Sequence, residues 1–391
     1  MNWNDKTAAN VKAIKPSGIR KFFDIAAQVK GVLSLSIGEP DFAAPDKVLA
    51  AMKASLDAKE TSYTGNSGMM ELREAISHHF EQRYGVHYDP KDEILVTVGV
   101  SEGLAMALLA ITEPGDEVII PDPAYVAYPA SVELAGGTPV FVPTYPEHDF
   151  KLTVEALEKV ITPKTKAIVI GYPNNPTGNV MSAEELMPIA KFAEEHDLIV
   201  LSDEIYCELM YGDAKFTSFA KLPGMRERTV IFNGFSKAYA MTGMRLGYVC
   251  APREGLAPIL KLHQYAIMCA NTTAQVGGIT ALKECDDDVE AMRQEYDRRR
   301  KVIYKGLCDM GLPVFEPKGA FYIFPDIRCT GMTSAEFCEK LVQEEKVAVV
   351  PGTAFGDQGE GFVRISYAAS MDTIQEALKR MARFVAKYRK D

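Results

Sequence analysis

The chain lacks most of what would let it staple, chelate or insert itself. Its seven cysteines are scattered at positions 207, 250, 269, 285, 308, 329 and 338, with no Cys-x-x-Cys spacing. An odd, dispersed set argues against a disulfide framework and leads us to expect a reduced, cytoplasmic protein. The six histidines include no metal-type pair with a matching acid, so no metal site is expected. The longest apolar run, Leu104 to Ile111, falls far short of the ~20 residues that span a bilayer. Met1-Asn-Trp-Asn-Asp-Lys6 has no apolar signal core, so neither membrane attachment nor export is expected. Cationic excess is missing too: the formal net charge is -10 and the pI about 5.3, which excludes a phosphate-backbone partner and hence nucleic acid. There is no G-x-G-x-x-G fingerprint, which weakens a dinucleotide-dependent dehydrogenase. Repeats, low-complexity tracts and Gly/Ser linkers are absent as well.

What is present is bulk and alternation. With 391 residues and 47% hydrophobic content the chain can bury a large core, and one core rarely grows past ~250–300 residues, so two domains are expected. Apolar strand-like runs at 94–98, 117–120, 166–170, 198–201, 230–232 and 246–249 alternate with helical patterns. That alternation builds a mostly parallel sheet covered by helices, an α/β architecture whose ligands gather outside the carboxyl ends of the strands. The segments that follow the predicted strands are polar or aromatic: Gly99-Val-Ser-Glu-Gly103, Pro121-Asp-Pro-Ala-Tyr125, Gly171-Tyr-Pro-Asn-Asn-Pro-Thr-Gly178, Ser202-Asp-Glu-Ile-Tyr206 and Gly234-Phe-Ser-Lys237.

Lys237 sits in a loop between two of these strands, with Arg245 eight residues on. A lysine amine that is desolvated and held near a carbonyl becomes a nucleophile able to form a Schiff base, whereas a surface lysine stays charged and inert. Gly99 and Ser101 open an apolar helix whose free N–H groups and dipole suit an anion, although in isolation the loop reads first as an ordinary helix N-cap by Ser101. Asp203 ends a buried run, where a carboxylate is costly without a positive partner. By itself it also reads as a helix cap. Arg364 lies in the alternating pattern Phe362-Val-Arg-Ile-Ser-Tyr367, and its fork suits a carboxylate.

The pattern Ser-Lys-x-x-x-Met-Thr-Gly-x-Arg-x-Gly-Tyr at 236–248 resembles the cofactor-lysine signature of the pyridoxal 5'-phosphate enzymes of fold type I, specifically the class I/II aminotransferases. Other motifs of that family recur in order from Gly38 to Tyr367. The resemblance implies a large domain with a mostly parallel sheet between helices and a smaller α+β domain. It also implies pyridoxal 5'-phosphate as cofactor, Lys237 as the internal aldimine lysine and Arg245 as the grip on the phosphate. Val100, Ser101 and Glu102 would occupy the phosphate loop, with the Glu102 N–H turned inward and its carboxylate away. Tyr125 would stack on the pyridine ring, with Tyr128 as rival. Asn175 and Tyr206 would meet the ring oxygen, and Asp203 the protonated ring nitrogen. Arg364 would hold the substrate α-carboxylate, helped by Asn175 and the backbone near Gly38. Tyr63 would reach the cofactor of a neighbouring subunit, so the active form would be a homodimer.

Two departures stand out. Gly234 occupies a position where relatives often place a phosphate-binding Ser or Thr, so Ser236 is the expected substitute, and Met244 stands where an aromatic is common. The acidic-then-basic stretch from Glu284 to Arg300 is expected to line an exposed helix. The expected division is 1–45 as N-terminal arm and part of the small domain, 46–285 as the cofactor-binding domain and 286–391 as the C-terminal small domain. The implied activity is transfer of an amino group from an L-amino acid, aspartate or aromatic, to a 2-oxo acid such as 2-oxoglutarate. A carbon-sulfur β-lyase of the same fold shares these residues. A ligand-sensing regulator would need an added DNA-binding module for which the chain has no room.

Overall fold

The computed structural model describes residues 1–14, 18 and 29–390. The first strand, β1 (Leu33–Ser34), stands apart from the main sheet. That sheet has seven strands: β2 (Ile94–Thr97), β3 (Glu117–Asp122), β4 (Thr138–Pro143), β5 (Thr165–Ile170), β6 (Ile199–Asp203), β7 (Thr229–Gly234) and β8 (Gly247–Cys250). Their order is β2-β8-β7-β6-β5-β3-β4, and only β8 runs against its neighbours. The expected mostly parallel sheet is therefore found. Because β8 is reversed, its start lies beside the ends of β2 and β7, with Gly247 opposite Thr97 and Gly234. Arg245, just ahead of β8, thus reaches the same edge as the loops after the parallel strands.

The six expected strands form within a residue or two of their predicted bounds. Strand β4 was not anticipated, because Thr138-Pro-Val-Phe-Val-Pro143 carries two prolines. It is an edge strand, the place where a missing N–H costs no ladder bond.

The helix Gly99–Ile111 buries Gly103, Leu104, Ala107 and Leu108, a stripe at spacings of one, three and four that lies against β7 and β8. Gly103 is required by this approach, since a Cβ there would stand 2.7 Å from Val249 Cγ2. A separate core joins β9 (Tyr322–Ile323), β12 (Val363–Ser366) and the helices Asp286–Asp309, Ser334–Glu345 and Met371–Tyr388. Its antiparallel sheet is ordered β11-β12-β9, with β11 (Val350–Pro351) at one edge. The pair β1 with β10 (Val347–Ala348) ties the N-terminal segment onto this second body. Helix Met371–Tyr388 buries Ile374, Ala377, Leu378, Met381, Phe384 and Val385, one continuous apolar face.

One expectation holds only in part. The helix Asp286–Asp309 carries Asp286, Asp287 and Asp288 in its first turn, but it is not exposed throughout, because Arg299 and Arg300 are buried and ion-paired, to Asp41 and Glu295 and to Asp297 and Glu316. Run-of-charge reasoning missed them because the acids at 41 and 316 are distant in sequence. Among the described residues no helix is long and apolar enough to cross a membrane.

Candidate active site

The carboxyl edge of the sheet opens into a cavity of about 500 Å³, closed on its far side by Tyr322 and Arg364 of the second body. Of the sequence-predicted residues, Gly38, Val100, Ser101, Tyr125, Asn175, Asp203, Tyr206, Ser236, Lys237, Arg245 and Arg364 line it together. Glu102 and Tyr63 do not.

Lys237 follows β7 by three residues and is directed inward, its Nζ donating to the Gly38 carbonyl at 2.6 Å. Burial, assisted by the nearby Arg364 guanidinium, lowers its pKa to about 8 from an ordinary 10.5. A neutral, nucleophilic amine is then available near physiological pH. Cofactor capture by the stripped protein should therefore accelerate as pH rises through about 8 and level off above it. Stopped-flow absorbance would show this, and a rise centred near 10.5 would contradict it.

Asp203 is the last residue of β6 and is buried. Its Oδ2 accepts from the Tyr128 hydroxyl at 2.8 Å and its Oδ1 from the Ile205 N–H at 3.2 Å. Burial raises its pKa, and the Tyr128 bond opposes the rise. Tyr128, weighed above as a stacking residue, is thus committed through its hydroxyl to the acid, while Tyr125 meets it edge-on at 5.6 Å and faces the cavity. Tyr206 shares a 2.8 Å hydroxyl bond with Tyr322.

Arg364 is buried, with Nη1 donating to Asn175 Oδ1 at 3.0 Å and Nη2 to the Ser36 carbonyl at 2.6 Å. Tyr322 and Phe355 rings flank it at 4.5 and 4.8 Å. Its Nε is buried without a partner among the described residues. Gly38 leaves space beside it: a Cβ there would stand 2.8 Å from the Tyr322 hydroxyl and 3.6 Å from Arg364 Nη1.

At the opposite end, Gly99 has φ +75° and starts the helix whose first turn carries Val100 and Ser101. Arg245, itself at φ +52°, lies so close that a Cβ on Gly99 would meet Nη2 at 2.6 Å. The Glu102 carboxylate does not line the cavity, its Oε2 accepting from the Val98 N–H at 2.8 Å. Tyr63 is 80% exposed and does not line the cavity of its own chain.

Gly234 has a steric reason. A Cβ there would stand 2.8 Å from Gly247 Cα and 2.9 Å from the Leu246 carbonyl, both backbone atoms that cannot rotate away. Gly234→Ser should cost about 1–3 kcal/mol through overpacking and bring no gain in cofactor affinity. Thermal unfolding and cofactor titration of the variant check both halves.

Sequence reasoning missed Tyr322, because it lies in the apolar run Ala320-Phe-Tyr-Ile-Phe324 that reads as core. It also missed Glu39 and Thr242, which line the cavity mouth and are joined by a 3.0 Å bond from Thr242 Oγ1 to Glu39 Oε2.

The fit to a phosphorylated pyridine aldehyde rests on charge. Lys237, Arg245 and Arg364 all face one cavity, and among the described residues none is ion-paired to a carboxylate. A buried carboxylate, Asp203, faces them from the end of the sheet. Such a set awaits a ligand carrying anions and one ring cation. Fold and cavity together define a fold type I pyridoxal-phosphate enzyme. The family described as aminotransferase class I and II matches residues 30–381, and the chain belongs to that family. It is 51% identical to an aspartate aminotransferase of Pyrococcus abyssi, covering 94% of this chain and 95% of that one. It is 48% identical to aromatic-amino-acid aminotransferase 2 of Thermococcus litoralis, over 95% and 96%. The crystal structure of an aromatic aminotransferase from Pyrococcus horikoshii superposes with a TM-score of 0.90 at 49% identity, covering 94% of this chain and 99% of that one. The chain is a pyridoxal-phosphate-dependent aminotransferase, and the lyase and regulator alternatives fall away.

Proposed function

We propose that this aminotransferase takes its amino group from aspartate or an aromatic L-amino acid and delivers it to a 2-oxo acid such as 2-oxoglutarate, working as a homodimer. The observation that carries the site assignment is a set of cations, Lys237, Arg245 and Arg364, that have no carboxylate ion-pair partner among the described residues and surround one cavity with a buried acid. Arg245, Ser236 and the first-turn N–H groups of Val100, Ser101 and Glu102 would hold the phosphate. Asp203, kept in place by Tyr128, would accept from the ring nitrogen, Asn175 and Tyr206 would meet the ring oxygen, and Tyr125 would cover the ring face.

When bound, the cofactor supplies an electron sink for the pair left on the substrate α-carbon. Arg364, braced by Asn175 and Ser36, orients the substrate carboxylate so that the α-proton faces Lys237. Lys237 would take that proton on Nζ as general base and hold it for return to the substrate side of the cavity. Gly38 keeps the substrate path clear of a side chain and offers its carbonyl to the Lys237 amine.

The dimer proposal is supported by an apolar patch. Tyr63, Tyr265, Ile267 and Met268 are all exposed, and their two segments are joined by bonds from Asn66 Nδ2 to the Met268 carbonyl and from Thr272 Oγ1 to the Ser62 carbonyl, each 2.8 Å. A second subunit covering that patch would receive Tyr63 at its own site. We likewise propose the division into 1–45, 46–285 and 286–391, supported by the separate core around β9 and β12.

The described cavity residues offer no fourth Lys or Arg for a side-chain carboxylate. The test is kcat/KM for aspartate against tyrosine and phenylalanine with 2-oxoglutarate as acceptor. Turnover of either group at more than tenfold the rate of other donors supports the proposal, and preference for an unrelated donor sinks it.

A further inference from the structure

The helix Gly99–Ile111 carries an acid, Glu102, in the turn that opens on the cavity. A carboxylate there competes with a bound anion for the same N–H groups and the same helix dipole. Two contacts turn it back. Glu102 Oε2 accepts from the Val98 N–H at 2.8 Å, and Oε1 meets Nδ1 of His263 at 2.9 Å. Both side chains are buried, 8% exposed for Glu102 and 0% for His263.

His263 belongs to the neighbouring helix Arg253–Ala266, which packs against Gly99–Ile111. Its Nε2 is buried with no hydrogen-bond partner among the described residues. An apolar side chain would fill that space without leaving a polar atom unpaired. Of the ring's two nitrogens, then, only the one facing Glu102 is used. We propose that His263 is a positioning residue for the phosphate end of the site: by donating to Glu102 it holds that carboxylate on Val98, away from the first-turn N–H groups that would receive the cofactor phosphate. The inference rests on the assignment of this helix end to the phosphate made above.

The test separates charge placement from packing by comparing pyridoxal phosphate with pyridoxal, which lacks the phosphate. Affinities are read from the cofactor absorbance on titrating the full-length, stripped protein. His263→Leu frees the carboxylate to approach the phosphate, so pyridoxal phosphate should bind on the order of tenfold more weakly while pyridoxal is unaffected. Adding Glu102→Gln to that variant removes the charge and should restore most of the loss. His263→Asn, whose amide N–H replaces Nδ1–H, should retain near-native affinity. Should His263→Leu fail to fold, Glu102→Gln alone decides: it keeps the Val98 bond and loses the charge, so pyridoxal phosphate must bind at least as tightly as in the native protein. Equal weakening of both ligands, no recovery with Glu102→Gln, or a large loss in the single Glu102→Gln protein would overturn the proposal. Arg245→Gln controls the underlying assignment. If it leaves the preference for the phosphorylated ligand intact, the phosphate end is elsewhere; if it abolishes the preference and His263→Leu does not weaken it, the positioning role alone is wrong.

Discussion

Lys237→Ala should complete no multiple turnovers, with kcat lowered by at least about 10⁴, the upper range for loss of a positioned general base, to which loss of the covalent attachment adds. The reason is geometric. Among the described residues Lys237 supplies the only amine in the cavity, its Nζ lies 2.6 Å from the Gly38 carbonyl, and the other cations there, Arg245 and Arg364, cannot act as bases. Folding should survive, because the substitution removes a buried amine whose pKa burial already depresses to about 8. Steady-state assays alongside thermal unfolding check this. Appreciable turnover by a folded Lys237→Ala protein would remove Lys237 from the reaction.

The second large effect falls on Asp203. Asp203→Asn keeps the size of the side chain and its ability to accept from Tyr128, but cannot hold a charge opposite a ring cation. We expect kcat to fall by about 10²–10³, the cost of removing one preorganised electrostatic partner. Stability of the stripped protein should move the other way. Burial raises the Asp203 pKa, so the folded chain binds this proton more tightly than the unfolded chain does. An acid of that kind lowers stability as pH rises above its unfolded value. Near pH 7 the asparagine variant without cofactor should thus unfold at the same or a higher temperature, and should lose less stability as pH rises from about 4, the unfolded value of an aspartate. A collapse of both activity and folding would mark Asp203 as a structural residue.

The sheet was legible because Leu198-Ile-Val-Leu201 and its counterparts are continuous apolar runs, the signature of strands covered on both faces. Strand β4 was hidden by its prolines, and the burial of Arg299 and Arg300 by partners far away in sequence. Of the predicted residues that line the cavity, Ser101, Asp203 and Lys237 end or follow strands, Arg245 precedes one and Arg364 lies within one. Their local motifs alone were ambiguous between caps, turns and chemistry, and the ordered resemblance decided among them. Tyr322 and His263 were invisible, one inside an apolar run and the other a lone histidine in a helix. The roles of both depend on contacts across the fold, Tyr322 with Tyr206 and Arg364, and His263 with Glu102. Tyr128 was seen but given a rival's role, because nothing local reveals that its hydroxyl reaches Asp203.

The most direct test of the central claim is a half-reaction. Cofactor-loaded protein is mixed with one amino acid at a time, without an oxo acid, and the visible absorbance of the lysine-bound cofactor is followed. Aspartate or an aromatic amino acid should convert the protein stoichiometrically to its amine-loaded form with release of the matching 2-oxo acid, and 2-oxoglutarate should reverse the change. Failure of every amino acid to produce that reversible conversion, with pyruvate and ammonia appearing instead from cysteine or cystathionine, would contradict the account.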